Sequence, residues 1–167
     1  MRADPGVYGA RAMAKEPKAG ATGRPITVNK RARHRFEVLD TLEAGISLLG
    51  SEVKSLRQGL VSLDEAYGRI EDGEVYLVGA HIQEYSHGNQ LNHEPTRKRK
   101  LLLRGREIKR LVTRVTQQGF TLVPLSMYWT DRNLAKVELG LCRGRKTVDK
   151  REVLKRREAR RDIGRDL

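Results

Sequence analysis

A run of four cations, Arg97-Lys98-Arg99-Lys100, passes without a break into Leu101-Leu102-Leu103. No single environment suits both halves. A leucine contributes about 2 kcal/mol when it is buried, whereas an unpaired charge is costly to take out of water. Downstream, Ile108, Leu111, Val112 and Val115 recur at the spacing of one helical face. Gly119 follows and can take the left-handed conformation that ends a helix. The segment is therefore expected to be tied to a core by its leucines and its helix stripe while its cations stay in water. Between positions 97 and 110 eight Lys/Arg face a single carboxylate, Glu107, so the segment does not neutralise itself. A dense positive surface on a rigid support suits a polyanion; a plain solvated face is the alternative.

The rest of the chain sets what that support can be. At 167 residues, with 38% apolar and 33% charged side chains, there is room for one modest core plus tails. The net charge of +13 and a pI near 10.3 call for a phosphate-rich partner. A membrane surface is the other polyanion, but no apolar run approaches spanning length and no signal-peptide stretch opens the chain. Cys142 is the only cysteine, which excludes an intrachain disulfide and a cysteine zinc site and points to a reducing, cytoplasmic location.

In chain order, residues 1–28 are rich in Gly, Ala and Pro and read as an unfolded extension, with Met13 a second candidate start. Asn29 to Arg35 is a first basic patch, either an RNA contact or a charged lead-in to a strand. Phe36 to Leu49 reads as two short strands or one strand bulged at Gly45. Gly50 to Gly59 reads as a short helix with Ser51 as its cap, Glu52 at its positive end, and Val53 and Leu56 facing inward. Asp72-Gly73 between β-prone runs (Ala66–Ile70 and Glu74–Ile82) marks a hairpin. Residues 83–96 read as a long loop. After the helix, Phe120–Tyr128 and Leu134–Leu141 form a second hairpin, in which Ala135, Val137, Leu139 and Leu141 alternate with Lys136, Glu138 and Gly140. Pro124 places its strand at an edge or a bulge. From Arg143 to Leu167, eleven Lys/Arg and five Asp/Glu accompany few apolar residues. That composition predicts a tail unfolded alone and helical when bound. Some six short strands with helices between them suggest a small closed barrel. Strand count alone does not choose an oligonucleotide-binding (OB) barrel over an SH3-like one.

A reaction centre is not evident. His81, His87 and His93 are spaced for neither a helical nor a strand metal pair. Cys142 has a basic run beside it and reads as a small core or surface thiol. The carboxylate pairs Asp64/Glu65 and Glu71/Asp72 sit in turn and helix-start contexts, and no phosphate-cradling Gly-x-x-x-x-Gly-Lys segment is present. With two Phe, one Trp and five Tyr, stacking surface is scarce, which favours recognition of a folded RNA by backbone and shape. The rival readings are a structural ribosomal protein and an RNA-modifying enzyme.

Several segments, in order, resemble a known family: Asn29-Lys-Arg-Ala-Arg-His34, Glu43-Ala-Gly45, Gly50-x-Glu-Val-Lys-Ser-Leu-Arg57, Gly73-Glu74, Pro95-x-Arg-x-Arg-Lys-Leu-Leu-Leu103, Arg106-Glu107, Lys136-Val-Glu138, Gly144-Arg-Lys146 and Asp149-Lys-Arg151. Together they are similar to small protein B, the SsrA-binding family of bacterial trans-translation, from about Asn29 to Arg151. The resemblance implies a mainly β chain with short helices, an OB-fold-like closed β-barrel over 29–142 and a flexible basic tail over 143–167. It implies binding of transfer-messenger RNA at its tRNA-like domain, the protein standing in for the anticodon arm. It further implies entry into stalled ribosomes, contact with small-subunit ribosomal RNA, elongation factor Tu reached through the RNA, and tagging of the stalled chain. On this pattern Asn29, Lys30, Arg31, Arg33, His34, Glu43, Lys100, Leu102 and Lys136 contact the tRNA-like domain. Glu43 either accepts from base edges, orients a cation or forms an ion pair. Arg143, Arg145, Lys146, Asp149, Lys150 and Arg151 belong to the tail in the empty mRNA path near the decoding centre. The family implies a monomer, no catalysis, no cofactor and no metal. Arg35 and Val148 depart from its usual residues.

Overall fold

The structure is a computed structural model, and it describes residues 23–88, 90 and 92–145. Among the described residues, nine strands and three helices run in the order β1 (Arg24–Val28), α1 (Ala32–Arg35), β2 (Phe36–Ile46), α2 (Gly50–Arg57), β3 (Val61–Ser62), β4 (Tyr67–Glu71), β5 (Glu74–Val78), β6 (His81–Ile82), β7 (Arg99–Leu102), α3 (Gly105–Gln118), β8 (Thr121–Trp129) and β9 (Ala135–Gly144). The chain is mainly β with a few short helices. One sheet has the order β1-β8-β4-β5-β7-β2-β9, and β9 also pairs with β8, so successive antiparallel pairings return to β8. β3 and β6 form a separate two-stranded sheet.

The longest ladders join β2 to β9 and β8 to β9. Period-two alternation points Val137, Leu139 and Leu141 of β9 into the interior, where none is more than 1% exposed. There they meet Val75 and Leu77 of β5, Leu101 of β7 and Leu122 and Met127 of β8. At the other end of β9 the outward face is covered as well. Cys142 packs with Val123, Leu125 and Ala32 of α1 in a second cluster. Burial pushes the Cys142 thiol up to about 11, so it stays protonated and inert at neutral pH.

The hairpin-turn signal at Asp72-Gly73 and the helix-stop signal at Gly119 hold. Asp72 and Gly73 both have positive φ (48° and 72°), as a tight hairpin between β4 and β5 requires. Helix α3 ends at Gly119 with φ 66°, and Glu107 accepts a hydrogen bond from the Arg104 N–H at its start. Leu111 is buried, with Ile108 and Val115 packed against the core.

Five expectations are corrected. Residues 24–28 are not part of an unfolded extension. Arg24–Val28 is a strand on β8, and it tolerates Pro25 because it lies at the edge of the sheet. Phe36–Ile46 is one strand, and its register shift lies between Val38 and Asp40, not at Gly45. The strand after Asp72-Gly73 ends at Val78, and His81–Ile82 pairs with β3 instead. Ser51 does not cap α2. Glu52 accepts from the Leu49 N–H instead, while the Ser51 hydroxyl bonds His93. Finally, β9 continues through Arg143 and Gly144, so those positions belong to the fold and not to a free tail. Residues 1–22 and 146–167, including Met13, Lys146, Val148, Asp149, Lys150 and Arg151, lie outside the described residues. Among the described residues no helix is long and apolar enough to cross a membrane.

Candidate nucleic-acid interface

The run at 97–100 divides by strand alternation. Arg99 shares a face with Leu101, and both are 0% exposed; Lys100 shares a face with Leu102, which is 54% exposed. An arginine points in and a leucine points out. The interior takes Arg99 because Glu52 is there to meet it. Arg99 Nε lies 2.8 Å from Glu52 Oε1, and its other nitrogens donate to the carbonyls of Ala80, Pro95 and Arg97. Arg97 Nη2 adds a 2.7 Å bond to Glu52 Oε2. Burial pushes the Glu52 carboxyl up, but hydrogen bonds from Arg97 and the Leu49 N–H, with the Arg99 charge, outweigh it and hold it below the usual range. His93, also buried, bonds Ser51 and the Ile82 carbonyl, so it braces the same region. The expectation that all four cations stay in water is therefore corrected for Arg97 and Arg99. Their acid partner comes from α2, 45 and 47 positions back, where composition within the run could not reveal it.

The outward side chains line a groove. Between β2, β7 and α3 lies a cleft of about 1160 Å³, and Glu43, Lys100, Leu102 and Lys136 all border it, with Arg104, Arg110 and Arg114. Four of the sequence-predicted contacts, spread over β2, β7 and β9, are thus brought to one place. Leu102 sits opposite Gly45 across β2–β7, and Gly45 in turn lies opposite Lys136 across β2–β9. The Glu43 carboxylate accepts from Lys136 Nζ and from the Tyr128 hydroxyl. Those bonds, the Lys136 one foremost, hold the Glu43 carboxyl below its ordinary range, so it is ionised at neutral pH. Tyr128 is pushed up, by burial first and then by Glu43, and stays a hydrogen-bond donor.

Lys136 apart, the groove's cations have only loose partners. Lys100 pairs with Glu74 at 3.2 Å, and Arg110 and Arg114 with Asp40 at 3.5 and 4.0 Å. Exposed pairs of this kind are worth about 0–1 kcal/mol, so a phosphate can replace the carboxylate at small cost. Arg104, Arg106 and Lys109 have no ion pair among the described residues. This supports the sequence reading of an under-neutralised surface, now restricted to the outer cations.

The first basic patch stands elsewhere. Lys30, Arg31, Arg33 and His34 are exposed on and beside α1, near the start of β2. Arg31 and Arg35 share Glu65 at 3.7 and 3.8 Å. Asn29 is different: it is 4% exposed. Its amide donates to the carbonyls of Leu63 and Pro124, and its oxygen accepts from the Ala32 N–H. Its side chain is spent inside the fold, where it ties α1 to β8. Arg143 pairs with Glu37, and Arg145 bonds the carbonyls of Arg35 and Phe36. The root of the tail therefore lies beside α1. Along β2, Glu37 and Glu43 are separated by about 20 Å, so the molecule has two basic surfaces, one at each end of that strand. Sequence reasoning missed Tyr128, whose place in a β-strand suggested only packing. Among the described residues no group of His, Cys, Asp and Glu is arranged to hold a metal.

Comparison with known proteins fits this geometry. The family model described as SmpB protein matches residues 26–167. The SsrA-binding protein of Brucella canis is 49% identical over 152 residues, 91% of this chain and 96% of its own length. That of Mycolicibacterium vanbaalenii is 48% identical over 157 residues, 93% and 94% of the two chains. A solved structure, "tmRNA-SmpB: a journey to the center of the bacterial ribosome", contains a chain that is 52% identical. It superposes with a TM-score of 0.61 over 72% of this chain and 85% of that one. A family model that matches most of the chain, with relatives about half identical over nine-tenths of it, establishes that this chain belongs to the SmpB family.

Proposed function

We propose that this chain binds transfer-messenger RNA and carries it to bacterial ribosomes for trans-translation. The relatives are named for binding SsrA, and the solved neighbour joins SmpB, tmRNA and the ribosome. The single observation that carries the site is the groove. Glu43, Lys100, Leu102 and Lys136 come from three strands and border one cleft. In this reading the cations hold phosphates of the tRNA-like domain, Leu102 packs against sugar or base, and Glu43 accepts from a base edge. Lys30, Arg31, Arg33 and His34 add phosphate contacts at the other end of β2. Arg143 and Arg145 lead into the segment from Lys146 to Leu167, which follows the vacant mRNA path. The returning set of strand pairings is read as an OB-like closed barrel, and the protein works in the cytoplasm as a binding adaptor, not a catalyst.

Affinity purification of the full chain from its own cells, followed by sequencing of the bound RNA, tests this. The expected result is enrichment of transfer-messenger RNA with small-subunit ribosomal RNA. Ribosomal RNA alone, retained through high salt, would favour a structural ribosomal protein instead.

A further inference from the structure

Glu43 is not alone on its face of the sheet. In the β2–β9 ladder it lies directly opposite Glu138, and two carboxylates so placed repel one another. The third strand, β8, supplies a hydroxyl to each. Ser126 Oγ donates to Glu138 at 2.9 Å, and the Tyr128 hydroxyl donates to Glu43. Tyr128 stands opposite Lys136 in the β8–β9 ladder, so its hydroxyl and the Lys136 ammonium reach the same carboxylate together. The two sides of that grip differ. Lys136 is a flexible side chain that a phosphate can draw away. Tyr128 is 3% exposed and faces Pro25 across β1–β8, so its ring is fixed.

We propose that Tyr128 is a positioning residue for RNA recognition, its buried hydroxyl fixing the Glu43 carboxylate in the groove as an acceptor for base-edge amino groups. When Lys136 turns to a phosphate, Tyr128 keeps Glu43 in place and sets its distance from Glu138. The inference rests on the proposed RNA-binding function and names how one part of that site is held.

A double-mutant cycle in the full chain decides it. Affinity for the isolated tRNA-like domain is measured for the wild type, Tyr128→Phe, Glu43→Ala and the double variant at one salt concentration, with thermal midpoints recorded for all four. Loss of one hydrogen bond that orients a charged acceptor predicts an affinity about fivefold weaker in Tyr128→Phe. In the Glu43→Ala background the same change is expected to have no further effect. An equal loss in both backgrounds, or no loss in the single variant, overturns the proposal. Because phenylalanine keeps the ring, a drop in thermal midpoint matched by an equal affinity loss in both backgrounds also assigns the hydroxyl to stability and overturns it. A wild type that binds duplex RNA as tightly as the tRNA-like domain overturns the functional reading itself. That outcome is told apart because it involves no variant.

Discussion

Two glutamates meet cations in this molecule, and the pairs do opposite work. Glu52 and Arg99 are both fully buried; Glu43 and Lys136 keep 46% and 32% of their side chains in water. In the interior, every remaining polar atom of the pair must be satisfied, and six further hydrogen bonds with Arg97, Ala80, Pro95 and Leu49 do so. Such a pair can be broken only with the fold. At the groove, solvent screens the attraction, and each partner can leave the other for a ligand. The same chemical pair is a brace in one place and an exchangeable contact in the other, and burial is what separates them.

The comparison can be broken most forcefully at the buried pair. Arg99→Ala leaves the Glu52 charge in the core with only Arg97 beside it. The expected cost is about 3–5 kcal/mol, a fall in thermal midpoint of about 10–20 °C. Thermal unfolding checks this, and a fall of only a degree or two would mean the pair is not the brace described. Acidity sharpens the same point. The folded Glu52 carboxyl lies below its unfolded value of about 4.3. Its contribution is therefore complete above that value and is lost as pH falls through the folded one. The stability gap between wild type and Glu52→Gln, from chemical denaturation, should narrow as pH falls below about 4.3.

At the groove the expected effects move from stability to binding. Glu43→Ala should change stability by no more than about 1 kcal/mol. Removal of the charged acceptor should weaken binding of the tRNA-like domain about tenfold or more. Gel-shift titration beside a melting curve separates the two. Lys100→Ala, the smallest change, should weaken binding by a few-fold and lower the slope of log affinity against log salt by about 1, as expected of a lost phosphate contact.

Much of this was legible in the chain itself. Helix α3, its glycine stop, the Asp72-Gly73 turn and the β8–β9 hairpin follow from periodicity and turn chemistry, which act over short stretches. The misreadings share one cause: a partner distant in sequence. Arg99 looked like surface because Glu52 lies on another element. Asn29 looked like part of a basic patch because the Leu63 and Pro124 carbonyls that engage it are 34 and 95 positions away. Arg24–Val28 looked like part of an unfolded extension because the first 28 residues are rich in Gly, Ala and Pro, while the strand it pairs with, β8, lies about 100 positions on. One signal was available and unused. Strand alternation through Leu101 already places Arg99 inward and Lys100 and Leu102 outward. The groove residues were found through the ordered motifs, since no local pattern links positions 43, 100, 102 and 136.

The most direct test of the account is a competition at fixed salt between the tRNA-like domain and a duplex RNA of equal length, for the wild type and Glu43→Ala. The account predicts that the wild type prefers the tRNA-like domain and that Glu43→Ala loses the preference with its melting temperature moved by no more than about a few degrees. Equal affinity of the wild type for both RNAs would contradict it.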